Sequence, residues 1–333
     1  MSSKRPFAAS AVLARRSRAS LFGLAALLLA STTVASCKSK GKQAHAGTAQ
    51  DPFVIGVSQC NLGEPWRAQM NADLKAAAGK HDNLSLVFKD AQNDASKQRA
   101  QVEELVSQGI DLLIISPKET APLTKPVSEA FQKGIPVIVL DRAVDGSDYT
   151  TFIGGDNRKI GRAAGKRIAQ LLAGKGKVVE LEGLMTSTPA QDRHLGFLDG
   201  IADAPGVQVV FTSDMQWLEG SARKEMDSAL TTNAQIDLVY AHNDPGAHGA
   251  YLAVKAAGRE GIKFVGIDAL PQEGVQYVKQ GLLDATFLYP TGGAEAIDAA
   301  LKILGKQEVP KTVTLGTRVY TKGNVDQGGE ALP

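Results

Sequence analysis

The chain has 333 residues, of which 43% are hydrophobic, and a formal net charge of +2. This length favours two domains, and this composition excludes a wholly disordered protein. With only two cysteines, Cys37 and Cys60, the chain has no disulfide framework, and its stability must come from packing.

The first 36 residues predict a secretory signal peptide. A basic region without acidic residues precedes the apolar run 21–30, which is too short to span a membrane as a stable helix. Removing residues 1–36 takes away five basic residues and no acidic ones, so the net charge falls from +2 to −3. The folded protein therefore has no basic excess that would favour nucleic acid, and we expect no nucleic-acid partner.

The end of the signal peptide, Val34-Ala35-Ser36-Cys37, resembles the lipobox of bacterial lipoproteins. In that motif the peptidase cuts before a cysteine that becomes lipidated, although Leu is commoner where Val34 stands. The alternative is ordinary cleavage that leaves a free thiol. We expect export to the periplasm or cell surface, a membrane anchor on Cys37, and a flexible polar tether over residues 37–51.

From residue 53 onward, apolar strand segments alternate with segments of helical periodicity. Strands are predicted at 53–57, 84–88, 112–115, 137–140, 152–153, 177–181, 207–211, 236–240, 264–268, 285–288 and 313–320. The alternation is typical of βαβ units. The predicted fold class is α/β, with two similar doubly wound parallel-sheet lobes.

The fourth strand, 137–140, is a continuous apolar run that leads directly into Asp141 and Arg142. Such a run is typical of a strand buried on both faces of a parallel sheet, whose carboxyl end borders a ligand crevice. A carboxylate beside a guanidinium suits a ligand rich in hydroxyl groups. A structural ion pair that caps the strand is the alternative.

Polar and aromatic residues also follow the other predicted strands. They are Trp66, Arg67, Ser116, Arg193, Trp217, Asn243, Asp268 and Tyr289. A crevice that collects them would offer hydrogen bonds for hydroxyl groups and flat faces for a sugar ring. Taken singly, either tryptophan is more typical of a core, and Glu64 or Asp244 of a helix cap.

The motifs make the chain similar, over residues 52–325, to periplasmic sugar-binding proteins of the ribose and galactofuranose type. These proteins are solute receptors of ABC transporters with the type I fold. The motifs are Asp141-Arg142, Asp192-Arg193-His194-Leu195-Gly196-Phe197, Ala241-His242-Asn243-Asp244 and Val265-Gly266-Ile267-Asp268. Trp66-Arg67 resembles the galactofuranose branch, since ribose binders have two phenylalanines there.

The resemblance implies roles for the residues in question. Trp66 and Trp217 would cover the sugar ring. Six residues would bind hydroxyl groups: Arg67, Asp141, Arg142, Arg193, Asn243 and Asp268. Tyr289 and Ser116 occupy ligand positions at which the family often has Gln or Glu, and Asn, respectively, and these departures leave the choice of sugar open.

The resemblance also implies that the chain crosses between the lobes three times, near Gly155, Tyr289 and Leu315. The expected N-terminal lobe comprises 52–155 and 290–315, and the C-terminal lobe 156–289 and 316–333. Closure about this three-segment hinge would bury a monosaccharide, a pentose or hexose with the furanose form as one option. The expected partner is an ABC transporter permease, and the protein is expected to be a monomer.

Other function classes are less well supported by the residues. Candidate bases (His194, His242, His248) and nucleophiles (Ser58, Ser116) lack a Gly-x-Ser-x-Gly elbow, a P-loop or a metal-spaced cluster. We therefore expect no enzyme, no cofactor and no metal. A lactose-repressor type would need a helix-turn-helix ahead of the first strand. A signalling receptor, for autoinducer-2 or for sugar sensing through a chemoreceptor or sensor kinase, stays an alternative.

Overall fold

The computed structural model describes residues 47–332. The predicted signal peptide and Cys37 lie outside the described residues, as does most of the predicted tether. At the start of the described chain, Thr48 and Asp51 pair through two backbone hydrogen bonds of 3.0 and 3.1 Å and close a turn. No helix within residues 47–332 is both long and apolar enough to cross a bilayer.

The first half of the chain builds a six-stranded sheet, all of whose strands are parallel. Its strands are β1 (Phe53–Gln59), β2 (Leu84–Asp90), β3 (Leu112–Ser116), β4 (Val137–Leu140), β5 (Thr151–Gly155) and the later β11 (Thr312–Leu315). Its helices are α1 (Pro65–Ala78), α2 (Ala95–Ser107) and α3 (Thr120–Gln132), with α9 (Gly293–Leu304) from the second half. Helices α1 and α9 pack together, as do α2 and α3.

The second half builds a seven-stranded sheet. Its strands are β6 (Lys175–Glu182), β7 (Gly206–Asp214), β8 (Leu238–Ala241), β9 (Lys263–Asp268), β10 (Ala285–Leu288), β12 (Arg318–Thr321) and β13 (Glu330–Ala331). Its helices are α4 (Asn157–Leu171), α5 (Thr188–Ile201), α6 (Glu219–Thr232), α7 (Asp244–Ala256) and α8 (Gly274–Gln280). Strands β12 and β13 are antiparallel to their neighbours.

The two sheets repeat one strand order. The first sheet has the order β2-β1-β3-β4-β5 and the second the order β7-β6-β8-β9-β10. In each sheet, successive strands are added first on one side of the first strand and then on the other. The predicted α/β class with two doubly wound parallel-sheet lobes is confirmed. Ligands of such sheets bind beyond the carboxyl ends of the strands at this reversal, between β1 and β3 and between β6 and β8.

The closing segment differs from the sequence prediction. A single strand over 313–320 is wrong, because the chain leaves the first sheet after Leu315 and enters the second at Arg318. Thr317 lies at the change of sheet, and its hydroxyl donates to the carbonyl of Leu288. Periodicity alone does not show this break, which lies near the crossing at Leu315 that the family resemblance implies. It also missed the seven-residue helix α8.

Helices α4 and α5 approach each other through glycines. A Cβ at Gly161 of α4 would lie 2.3 Å from the carbonyl oxygen of Arg193, and a Cβ at Gly196 of α5 would lie 2.2 Å from that of Arg158. Contact at this distance leaves no room for a methyl group, so the glycines set the helix spacing. The spacing in turn sets the position of Arg193, which lies on α5.

Substituting Gly161→Ala should therefore push α4 and α5 apart. We expect it to lower the free energy of unfolding by about 1–3 kcal/mol, the usual cost of overpacking. Urea denaturation followed by circular dichroism measures this. Gly220→Ala in α6 is the matched control, since nothing lies within 4 Å of a Cβ there. Equal stability of the two variants would contradict the packing argument.

Candidate functional site

The carboxyl ends of strands from both sheets face one cavity with about 320 Å³ of empty space. Nine of the ten residues predicted from the sequence line it, together with Glu64 and Pro189, and the nine are Trp66, Arg67, Asp141, Arg142, Arg193, Trp217, Asn243, Asp268 and Tyr289. Ser116, the tenth, lies behind Arg67 and Asp141 and contacts both.

Asp141 is the best-connected carboxylate of the cavity. Its Oδ2 lies 2.6 Å from Arg67 Nη2, 3.1 Å from the Ser116 hydroxyl that donates to it, and 3.7 Å from Arg142 Nε. Its Oδ1 accepts a hydrogen bond of 2.7 Å from the Tyr289 hydroxyl. Both Asp141 and Arg67 are buried. A structural ion pair is thus present at the end of β4, but it joins Asp141 chiefly to Arg67 rather than to Arg142.

The backbone and the charge state of Asp141 both reflect this position. Its φ of 70° lies in the left-handed region, which aspartate adopts more readily than most residues. Burial alone would raise the pKa of Asp141. The guanidinium groups of Arg67 and Arg142 and the Tyr289 hydroxyl outweigh burial and hold that pKa below its ordinary value. Asp141 is therefore a carboxylate at neutral pH.

A chain of hydrogen bonds joins Asp141 to the second half of the molecule. The Tyr289 hydroxyl accepts from Asn157 Nδ2 at 3.2 Å, and Asn157 Oδ1 accepts from Arg193 Nε at 2.9 Å. Arg193 also donates to the carbonyl of His242. Asn157, at the start of α4, was missed by sequence reasoning because a polar residue there looks like part of an ordinary helix start.

Two indole rings and one phenol form the flat surfaces of the cavity. Trp66 stacks on Tyr289 with ring centroids 5.1 Å apart, and its Nε1 donates to the Tyr289 carbonyl at 2.8 Å. Trp217 has the guanidinium carbons of Arg142 and Arg193 5.5 and 5.2 Å from its ring centroid. Its buried Nε1 has no hydrogen-bond partner among the described residues. Both tryptophans are buried and yet line the cavity, so core and site roles coincide.

Asp268, at the end of β9, presents a carboxylate that no hydrogen bond or ion pair holds within residues 47–332. Only 6% of the residue is exposed, and its φ is 131°. Burial raises the pKa of Asp268 well above its ordinary value, and the nearby Arg193 opposes that rise only in part. A buried group in this state gains most from a ligand that hydrogen-bonds to it.

The neighbouring pair Asn243-Asp244 corrects one sequence interpretation. The cap of α7 is Asn243, whose Oδ1 accepts from Gly246 N at 3.0 Å and whose Nδ2 donates to the Trp217 carbonyl at 3.0 Å. Asp244 instead accepts from the Thr286 hydroxyl at 2.6 Å and from Ala269 N at 2.7 Å. Burial raises the pKa of Asp244 to about 7. Glu64 occupies the N-cap position of α1, but its side chain makes no capping hydrogen bond and instead accepts from Asn61 Nδ2 at 2.6 Å.

The cavity thus combines aromatic faces with guanidinium donors and one unpaired carboxyl group. Hydroxyl groups both donate and accept, so a compact polyhydroxylated molecule satisfies this set better than an apolar one does.

Residues 55–308 match the family model described as a periplasmic binding protein domain. The chain is 31% identical over 283 residues to the ribose import binding protein of Bacillus subtilis, covering 84% of this chain and 91% of that protein. Among solved structures, it is similar to the fructose-binding periplasmic domain of a hybrid two-component system. That match has a TM-score of 0.81 and 46% identity, and covers 83% of this chain and 93% of that one.

A protein of Mycobacterium smegmatis in complex with β-D-fucofuranose is also similar in structure. It matches with a TM-score of 0.79 and 31% identity over 83% of this chain and 93% of that one. These similarities extend over the strands and helices that carry the cavity residues, so the cavity lies within the matched part of the chain.

Replacing Asp141 with Asn should destabilise the fold, because Arg67 would keep its buried charge without a counter-charge. We expect a loss of about 3 kcal/mol in the free energy of unfolding at pH 7, as for other broken buried pairs. Since the folded-state pKa of Asp141 is lowered, the wild-type advantage is complete above the ordinary value and disappears as the pH falls through the folded-state value.

Chemical denaturation at pH 7 and at acidic pH measures both effects. Glu103→Gln is the control, because it removes the carboxylate of an exposed pair, 2.9 Å from Arg99 Nε. This control should leave the midpoint of unfolding almost unchanged. If Asp141→Asn is as stable as that control, the ion pair does not support the fold.

Proposed function

The chain belongs to the periplasmic binding protein family, and on this premise we propose that it is an extracytoplasmic receptor that binds a monosaccharide and delivers it to an ABC transporter. The observation that carries the proposal is the cavity between the two sheets, where two tryptophans and unpaired polar groups face each other. The family is one of binding proteins, and we propose binding without catalysis for this chain.

The sugar ring would lie between the faces of Trp66 and Trp217, whose apolar surfaces suit its C–H groups. Arg142 and Arg193 would donate to ring and hydroxyl oxygens, and Asp268 would pair with a hydroxyl group. Arg67 and Asp141 hold each other in place, and the hydrogen-bonding sites that their ion pair leaves free would bind the ligand. Ser116 would act indirectly, because its hydroxyl contacts Arg67 and Asp141 rather than the cavity.

We propose a pentose or hexose in the furanose form as the first ligand class to test. Support comes from two similar structures, one described as fructose-binding and the other complexed with β-D-fucofuranose.

In the proposed closure, two rigid lobes move towards each other. One lobe comprises residues 52–155 and 290–315, and the other comprises residues 156–289 and 316–333. A sugar held by Asp141 on the first sheet and by Asp268 on the second contacts both lobes only when they are close together. It therefore stabilises the closed form by its differential affinity for that form. A permease that distinguishes closed from open receptors would then accept loaded ones.

Sensing is the second candidate, and its basis is the 46% identity to a domain of a hybrid two-component system. The same cavity and closure serve both roles, since only the partner that reads the closed form differs. Uptake of labelled sugar through a co-expressed ABC permease, dependent on this protein, supports delivery, and its absence supports sensing.

A lipid on Cys37 would hold the monomeric receptor at a membrane, with residues 37–51 as the tether. This part of the proposal depends on the sequence motif Val34-Ala35-Ser36-Cys37. It places the protein in the periplasm or at the cell surface, beside the permease it would serve.

A thermal-shift screen of pentoses and hexoses tests the sugar proposal. A sugar at 100 times its Kd should add about 2.7 kcal/mol to the free energy of unfolding, which raises the melting temperature. Calorimetry then measures the affinity of the sugars that shift it. Absence of any shift across aldoses, ketoses and sugar alcohols contradicts the proposal.

Asp268→Asn separates ligand binding from folding. The ligand-free variant should be at least as stable as the wild type, because an unpaired buried carboxyl group becomes a neutral amide. Its sugar affinity should fall by about tenfold to a hundredfold, as expected for a buried carboxyl group replaced by one that pairs less well with a ligand hydroxyl. Asp82→Asn, at an exposed position, is the control and should change neither quantity. Wild-type affinity in Asp268→Asn would remove this residue from the site.

Cys37→Ser should release the full-length protein from the membrane fraction and remove the mass of the lipid. Cys60→Ser is the matched control, because Cys60 is the other cysteine of the chain and is buried in the fold. Fractionation and intact-mass spectrometry give the result. A wild-type protein that is already in the soluble fraction without added mass argues against the anchor.

A further inference from the structure

A second cluster of polar side chains lies behind the wall of the cavity, on the second sheet. Glu180 and Glu182 are alternate residues near the carboxyl end of β6, so their side chains point to the same face of the sheet. His194 on α5 lies over that face. The three side chains each offer one ligand atom, and these atoms lie within 4.8 Å of one another.

Three carboxylate oxygens face a single nitrogen in this cluster. His194 Nδ1 lies 3.1 Å from Oε1 and Oε2 of Glu180 and 3.1 Å from Oε1 of Glu182. An imidazole nitrogen carries at most one proton and satisfies only one of these oxygens at a time. The remaining oxygens converge on the same point without a donor from His194.

His242 supports the cluster without neutralising it. Gly183 N donates to His242 Nδ1 at 3.1 Å, so the ring proton is on Nε2, which lies 3.1 Å from Glu180 Oε1 and donates to it. This neutral imidazole orients the Glu180 carboxylate, as outer hydrogen bonds commonly orient metal ligands. Two carboxylates therefore share at most one positive charge, that of His194.

A buried hydroxyl beside the cluster also lacks a partner. Tyr240 lies opposite Glu180 in the register of β8 and β6 and is fully buried, and its hydroxyl makes no hydrogen bond within residues 47–332. Glu180 is fully buried as well, whereas the His194 side chain is 26% exposed and leaves a route from solvent. The Tyr240 hydroxyl is therefore a buried polar group beside the cluster without a partner among the described residues.

We propose that Glu180, Glu182 and His194 bind a divalent first-row transition-metal ion such as Zn²⁺. One imidazole nitrogen and carboxylate oxygens are a donor set that Zn²⁺ takes, at about 2.0–2.2 Å. Adjacent ligand atoms around a tetrahedral ion at these bond lengths are about 3.3–3.6 Å apart. His194 Nδ1 lies 3.1 Å from each carboxylate, and the three ligand atoms lie within 4.8 Å of one another, so small side-chain shifts would bring them to that spacing. Water would complete the coordination through the exposed side of His194.

The ion would also stabilise the wall of the sugar cavity. His194 follows Arg193 on α5, and the His242 carbonyl accepts a hydrogen bond from Arg193. Gly183, which donates to His242, packs so closely on Trp217 that a Cβ there would lie 2.3 Å from the indole. Binding of the ion does not depend on the proposed sugar or transporter, so the two proposals can fail separately.

Calorimetric titration of ZnCl₂ into tag-free full chain, after dialysis against a chelator, tests the site. We expect one ion per chain with micromolar or tighter affinity, and a matching metal content by mass spectrometry. His194→Gln and Glu182→Gln should each weaken binding by about tenfold or more. His248→Gln is the matched control, since His248 Nδ1 lies 3.3 Å from a single carboxylate, that of Glu219.

Thermal unfolding provides a second readout that separates metal binding from a purely structural role. Without metal, Glu182→Gln should be at least as stable as the wild type, because it removes one of two adjacent buried negative charges. Zn²⁺ should raise the melting temperature of the wild type and of His248→Gln but not of Glu182→Gln or His194→Gln. The proposal is overturned by wild-type protein that binds no ion, or by binding that survives both substitutions.

Discussion

The buried ion pair between Asp141 and Arg67 is the constraint on which the rest of the site depends. Each partner is nearly inaccessible to water, and each would be costly to bury alone. The pair ends one strand of the first sheet and holds a helix start against it, with Ser116 between them. Its carboxylate has one further oxygen, and this oxygen accepts from Tyr289 at the point where the chain leaves the second sheet.

That last hydrogen bond makes the polar network continuous across the molecule. Through Asn157 it reaches Arg193, whose guanidinium carbon lies 4.4 Å from the Tyr289 ring centroid and 5.2 Å from that of Trp217. The side chains that would bind a ligand are therefore also the side chains that connect the two sheets. A ligand that contacts Asp141 and Arg193 together would bind through groups already positioned by each other, which reduces the ordering that binding requires.

In both sheets the strand order reverses at the cleft, but the balance of charged side chains at that point differs between the two sheets. On the first sheet, β1 and β3 end beside Arg67 and Asp141, and the charges there are balanced. On the second, β6 and β8 end at Glu182 and just before His242, where carboxylates outnumber cations. This excess of acidic groups lies behind the guanidinium groups of the cavity. It includes the unpaired Asp268 and the two glutamates of the proposed cation site.

The sequence by itself determined the α/β class, nearly every strand and nine of the eleven residues that line the cavity, because periodicity reports burial and polar or aromatic residues follow the apolar strands. The family resemblance added their roles. Contacts between distant segments were decided only by the tertiary structure: the partner of Asp141 is Arg67, 74 positions earlier, and Asn157 relays Tyr289 to Arg193. Glu180, Glu182 and His194 have no metal-motif spacing, and a strand and a helix bring them together only when α5 packs on β6. Spacing along the chain records local structure, whereas charge pairing across a cleft depends on which elements pack together.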